Sequence, residues 1–162
     1  MNRKSGAGAV KNPIHGTVVD VAGSGVLLRG PSGAGKSDLG LRLIDRGAVL
    51  IADDRVCLRR GSRGLVASSP DNIYGLIEVR GLGLMSIPAA KFSLVKLVVD
   101  LVAAADVPRL PVPQTLMLEG VELPLIKLHA FELSAPAKVE LALRYPDQIG
   151  DERPASERRN KP

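Results

Sequence analysis

The sequence predicts a single α/β domain in which strands outnumber helices. Three observations lead there. An octapeptide, GPSGAGKS at residues 30–37, sits between an apolar strand and an amphipathic helix. About eight further segments read as strands, while only two read as helices of any length. The chain has 162 residues, enough for one packed domain and short for two. Proteins with this octapeptide usually alternate strands and helices around a parallel sheet. Two helices cannot cover both faces of one, so the expected scaffold is strand-rich rather than doubly wound.

The elements follow in order. Residues 1–13 are small and polar and read as a flexible leader. Ile14–Val21 alternates as a strand, Gly23 to Gly25 turns the chain, and Val26–Arg29 runs into the octapeptide. Ser37–Arg46 has helical spacing, with Leu39 and Leu43 on one face and Gly47 at the capping position. Ala48–Ala52 is a buried-type strand ending on Asp53-Asp54. Val56–Arg59 and Leu65–Ser68 flank Gly61-Ser62-Arg63-Gly64 as a hairpin. Leu76–Val79 is a short strand before the loop Arg80-Gly81-Leu82-Gly83, and Leu94–Val102 a long one. Three prolines make 106–113 a loop, and Thr115–Leu118 pairs with Val121–Leu128 around Glu119-Gly120. A last helix spans Ser134 to Tyr145. The folded unit is thus expected over 14–145, with 146–162 a disordered polar tail.

Composition narrows the function. The chain is 45% hydrophobic and 24% charged, which suits a packed core rather than disorder. Two Tyr, two Phe and no Trp argue against nucleic-acid binding, which draws on aromatic stacking platforms. The net charge of +5 suits an anionic partner, although much of it lies at the two ends. Cys57 is the single cysteine, so no internal disulfide forms, and a reducing cytoplasm fits. It is expected as a small buried hydrophobe. The most apolar stretch, 94–105, contains Lys96 and Asp100 and is too short to span a bilayer, so no membrane role is expected.

Gly30, Pro31, Ser32, Gly33, Ala34, Gly35, Lys36 and Ser37 satisfy G-x-x-x-x-G-K-S/T. Glycines let successive amides turn toward phosphate oxygens. Lys36 is placed to reach the β- and γ-phosphates, Ser37 to ligate Mg²⁺, and the helix adds its positive end. These residues make ATP with Mg²⁺ the expected cofactor. Asp53 and Asp54 follow 16 residues after Ser37. Phosphoryl transfer needs one carboxylate for the metal and often a second for the acceptor hydroxyl, and adjacent residues at a strand end point apart. Glu78 in its apolar strand either pairs with Arg80 or completes the metal site, and a buried carboxylate there would need a partner.

Four segments together resemble one family, the bacterial HPr kinase/phosphorylase catalytic domain. They are His15-Gly16-Thr17-Val18-Val19-Asp20-Val21, GPSGAGKSD at 30–38, Val49-Leu50-Ile51-Ala52-Asp53-Asp54, and LIEVRGLGL at 76–84. The last is the most specific. The resemblance covers about 14–145 and corresponds to a short form holding the kinase domain alone, with a fold like that of HPr kinase and PEP carboxykinase. It implies a cytoplasmic serine kinase acting on an HPr-like phosphocarrier protein, with a reverse phosphorolysis that yields pyrophosphate, and it allows a homo-oligomer. By position, Asp53 is implied as the residue that activates the acceptor serine and His15 as its neighbour. Ser37, Asp54 and Glu78 are implied around the divalent metal, and Arg109 against the transferred phosphoryl group. The region that in this family often reads P-x-x-P-G-R-N here reads HAFELSAPAK over 129–138, with neither the arginine nor the glycine.

Other readings remain open. A GTP switch would normally carry Asn-Lys-x-Asp, which is absent. A small-molecule kinase usually has an arginine-rich helical lid, and no segment here would form one. A non-catalytic nucleotide-binding regulator would not need Asp53.

Overall fold

A computed structural model describes residues 13–158; residues 1–12, most of the expected leader, and 159–162 lie outside them. The described elements are β1 (Ile14–His15), β2 (Thr17–Val21), β3 (Ser24–Arg29), α1 (Lys36–Asp45), β4 (Val49–Ala52), β5 (Arg55–Gly61) and β6 (Gly64–Ser68). Then come β7 (Leu76–Val79), β8 (Gly83–Ser86), β9 (Ser93–Leu101), β10 (Gln114–Leu118), β11 (Val121–Leu128), α2 (Ala135–Arg144) and α3 (Ala155–Arg158). The strand-rich α/β class is the one the sequence predicts. Ile14–Val21, expected as one strand, is broken at Gly16 into β1, which pairs with β5, and β2, which pairs with β3 and β4. β8 has no counterpart in the sequence reading: all four of its residues are exposed, and it exists by pairing with β7 in a separate two-stranded hairpin.

Nine strands form one curled sheet, in the order β1-β5-β6-β9-β3-β2-β4, with β11 also on β9 and β10 on β11. β9 organises it. One edge pairs in parallel with β3; the other is shared, by β6 near Ser93 and by β11 from Val98 to Leu101. β3, β9 and β11 therefore run parallel, and the remaining pairings are antiparallel.

Curling resolves the shortage of helices. On one side Val26, Leu28, Leu97, Val99 and Leu101 pack with Leu39 and Leu43 of α1 and Val139 of α2. On the other, Leu27, Val95 and Val98 pack with Val56, Leu58, Leu65 and Leu123 from the sheet's own outer strands. The central strands are buried on both faces, which is why they read as continuous apolar runs. In β9 the pairing shifts register between Gly25/Val95 and Val26/Leu97, leaving Lys96 as an extra residue. That bulge sends Val95 and Leu97 to opposite cores although they are two apart.

α1 lies close on β2. A Cβ at Gly40 would stand 3.1 Å from Thr17 Cγ2, so a larger residue would push the helix off the strand. Cys57, expected buried, is half-buried because its side alternates away from the core residues Val56 and Leu58. After α2 the chain makes a 3-10 turn at Pro146–Gln148, and Ile149 packs on the helix-side core. Asp151 then pairs with Arg153 at 2.7 Å. No described helix is long and apolar enough to cross a membrane.

The two helices are tied by a fork in which Arg46 Nε and Nη2 each donate to Glu140 at 2.7 Å. That hydrogen bond holds the Glu140 carboxyl below its usual range. A depressed carboxyl contributes stability above its unfolded value, about 4.3, and loses it as pH falls through the folded one. Wild type should therefore melt above Glu140→Gln at pH 7, by at most about 1 kcal/mol for so exposed a pair. The two melting curves should draw together as pH falls below about 4.3 and on through the depressed folded value.

Candidate active site

The parallel strand β3 delivers the chain to the phosphate loop at Arg29. Its guanidinium forks onto Asp100 at the facing position of β9, with Nε–Oδ1 2.8 Å and Nη2–Oδ2 3.0 Å. The loop 30–35 then turns into α1. Gly35 is left-handed, with φ 96°, and a Cβ there would meet Ala130 Cβ at 2.6 Å, so only glycine fits. Lys36 Nζ donates to the carbonyls of Gly30 at 2.7 Å and Pro31 at 3.1 Å, and the loop folds around its ammonium.

Asp53, at the end of β4, is 4% exposed. Its Oδ1 accepts from Ser37 Oγ at 2.7 Å and Thr17 Oγ1 at 2.8 Å, and its Oδ2 from the Glu78 amide at 3.1 Å. One carboxylate thus gathers α1, β2, β4 and β7. A carboxylate has about four acceptor positions, so three donors leave one free, on Oδ2. The carboxylates expected around a metal are arranged differently. Asp54 takes a left-handed backbone, φ 67°, that turns its side chain out to solvent beside His15, with Nδ1–Oδ1 3.8 Å. The Glu78 side chain is exposed rather than buried, because in β7 it alternates with Ile77, which is 1% exposed and faces inward. The hydroxyl and carboxylate oxygens of Ser37 and Asp53 are hard donors suited to Mg²⁺. Among the described residues no three His, Cys, Asp or Glu side chains form a preassembled metal cluster.

Arg109 lies in the long connection between β9 and β10. It lines a cleft of about 390 Å³ with Lys127, Lys138 and Tyr145, and the lining includes none of residues 30–37, 53 or 54. The structure therefore joins Ser37 with Asp53 and His15 with Asp54, and holds Arg109 apart from both pairs.

Comparison with known proteins adds to this geometry. The model of the HPr Serine kinase C-terminal domain matches residues 7–110. The chain belongs to that family. A curated HPr kinase/phosphorylase from Chlorobium phaeobacteroides is 40% identical over 132 residues, 74% of this chain and 39% of the relative. One from Clostridium botulinum (strain Eklund 17B) is 46% identical over 79 residues, 49% of this chain and 26% of the relative. The chain thus spans between about a quarter and two fifths of the length of these relatives. A solved Hpr(Ser) kinase/phosphatase from Coxiella burnetii superposes with a TM-score of 0.74 at 27% identity, covering 85% of this chain and 97% of that one.

The family's match takes in the phosphate loop, both aspartates and LIEVRGLGL, and stops at residue 110. Two members of the site escape a reading of side-chain chemistry. Thr17 looks like a strand residue, and its signal is a hydroxyl fully buried among valines. The Glu78 amide carries no signal, because a backbone donor has no residue type. If Thr17 satisfies Asp53, removing its hydroxyl in the near-isosteric Thr17→Val should destabilise the fold by about 1–3 kcal/mol. Urea unfolding at pH 7 reads this as a lower midpoint, and an unchanged midpoint would refute it.

Proposed function

We propose that this chain is an ATP-dependent serine kinase whose acceptor is an HPr-like phosphocarrier protein. The observation that carries the reading is the 2.7 Å hydrogen bond from Ser37 to Asp53, which places a buried carboxylate on the last residue of a phosphate loop. Membership of the HPr Serine kinase domain family supports the acceptor class, as do relatives named HPr kinase/phosphorylase.

In this reading the phosphates of ATP lie against the amides of loop 30–37 and the start of α1. Lys36 leaves the carbonyls of Gly30 and Pro31 for the β- and γ-oxygens. Mg²⁺, when bound, would neutralise charge on the phosphates; Ser37 would hold it, with Asp54 or Glu78 turning in from the solvent-facing positions they take here. The acceptor serine brings its hydroxyl to the unfilled position on Asp53 Oδ2. The proton passes to Asp53 as the serine oxygen bonds to the γ-phosphorus; the bond to the β-phosphate oxygen breaks, and ADP leaves. His15 and Asp54 form the exposed rim that the acceptor crosses. Arg109, held apart from both pairs here, would have to swing in from its loop to meet the equatorial oxygens, where transition-state charge spreads.

A general base contributes about 10²–10⁴-fold, so Asp53→Asn should lower kcat by that factor with ATP affinity nearly unchanged. The Ser37 contact also favours a second role, in which Asp53 holds the metal and Asp54 takes the proton. That role predicts loss of the Mg²⁺-dependent part of ATP affinity in Asp53→Asn, with turnover retained at saturating Mg²⁺. The acceptor is tested by transfer from γ-labelled ATP to purified HPr, with an HPr variant whose acceptor serine is alanine alongside. Label on wild-type HPr alone is expected. No label with ATP still bound would move the assignment to a small-molecule kinase or a nucleotide-binding regulator.

A further inference from the structure

β3, β9 and β11 run parallel and end on one edge of the sheet. Ligands of α/β sheets bind outside the carboxyl ends of such strands. The loop after β3 has the geometry for phosphate, and the loop after β11 lies directly on it. A Cβ at Gly35 would come within 3.0 Å of Phe131 Cζ as well as of Ala130. Phe131 stays out of the core, 57% exposed.

The ring is held in place. It stands edge-on to His129, with centroids 5.7 Å apart at 72°, and His129 Nδ1 is 2.9 Å from the Val102 carbonyl. Arg42 of α1 donates to the carbonyls of Ala130 and Glu132 on either side of Phe131. Glu132 is pinned in turn by Lys138 at 2.5 Å, a hydrogen bond that holds its carboxyl below the usual range. An aromatic ring is thus fixed at the lip of the phosphate loop, half open to solvent.

We propose that Phe131 is the platform on which the nucleotide base stacks; this rests on the reading of residues 30–37 as a nucleotide-phosphate site. Phosphates held in that loop leave the base outside it, and the tip of the ring, Cζ and Cε1, lies beside the loop's last glycine. The carbonyls of Ala130 and Glu132 are engaged with Arg42, so what the platform offers the base is chiefly its ring.

Stacking separates base from phosphate, and so does the test. ATP and inorganic tripolyphosphate, each with Mg²⁺, are titrated into wild type and Phe131→Ala. ATP affinity should fall about 5- to 150-fold on losing the stack, with tripolyphosphate affinity within twofold. Because the chain has no Trp, Phe131→Trp supplies a single reporter whose emission ATP should quench and tripolyphosphate should not. Unchanged ATP affinity in Phe131→Ala, with no base-specific quench, would overturn the inference and leave the phosphate-site reading standing. Equal loss of ATP and tripolyphosphate would also overturn it, showing that the ring only shapes the loop. Failure of wild type to bind either ligand would remove the phosphate-site reading itself, and the inference with it.

Discussion

A carboxylate 4% exposed has to be satisfied from within the protein, and the arrangement around Asp53 follows from that demand. Three donors answer it, and each arrives on a different element. Thr17 brings β2, Ser37 brings the start of α1, and the Glu78 amide brings the β7–β8 hairpin. Gly40 lets α1 approach closely enough for Thr17 and Ser37 to meet on one oxygen. Burial of the charge and convergence of the site are therefore one requirement. The carboxylate at the loop's end is also the group that fixes where the loop's helix lies.

Around this group the sheet sets three parallel strands within a largely antiparallel frame. Antiparallel pairing lets outer strands curl back and close one core without helices. Parallel pairing of β3, β9 and β11 sends three loops to a common edge. A doubly wound domain reaches the same edge with helices on both faces; here two helices on one face suffice.

Much of this was legible in the sequence because its signals are local. The octapeptide, the strand before it and the helix after it are contiguous, and the two aspartates end an apolar run. The count of helices against strands excluded a doubly wound sheet. What was not legible depends on pairing between distant segments. β8 has no buried face, so no periodicity marks it, and it appears only opposite β7. Glu78 reads as a carboxylate in an apolar strand, yet alternation turns it outward, and its contribution to Asp53 is an amide. Phe131 lies 94 residues beyond Ser37, and only the placement of β3 and β11 on either side of β9 brings it to Gly35.

The bulge at Lys96 bears on how β9 finds its place among its neighbours. Both faces of the strand are apolar, and a slip by one residue would exchange Val98 for Val99, two identical side chains each fully buried. Hydrophobic pattern, which fixes register in most half-exposed strands, is nearly silent here. The information lies in a charge: only one alignment of β9 on β3 sets Asp100 opposite Arg29 and closes the fork. The ion pair thus works as an address mark rather than a source of strength, and it is written one residue before the phosphate loop begins.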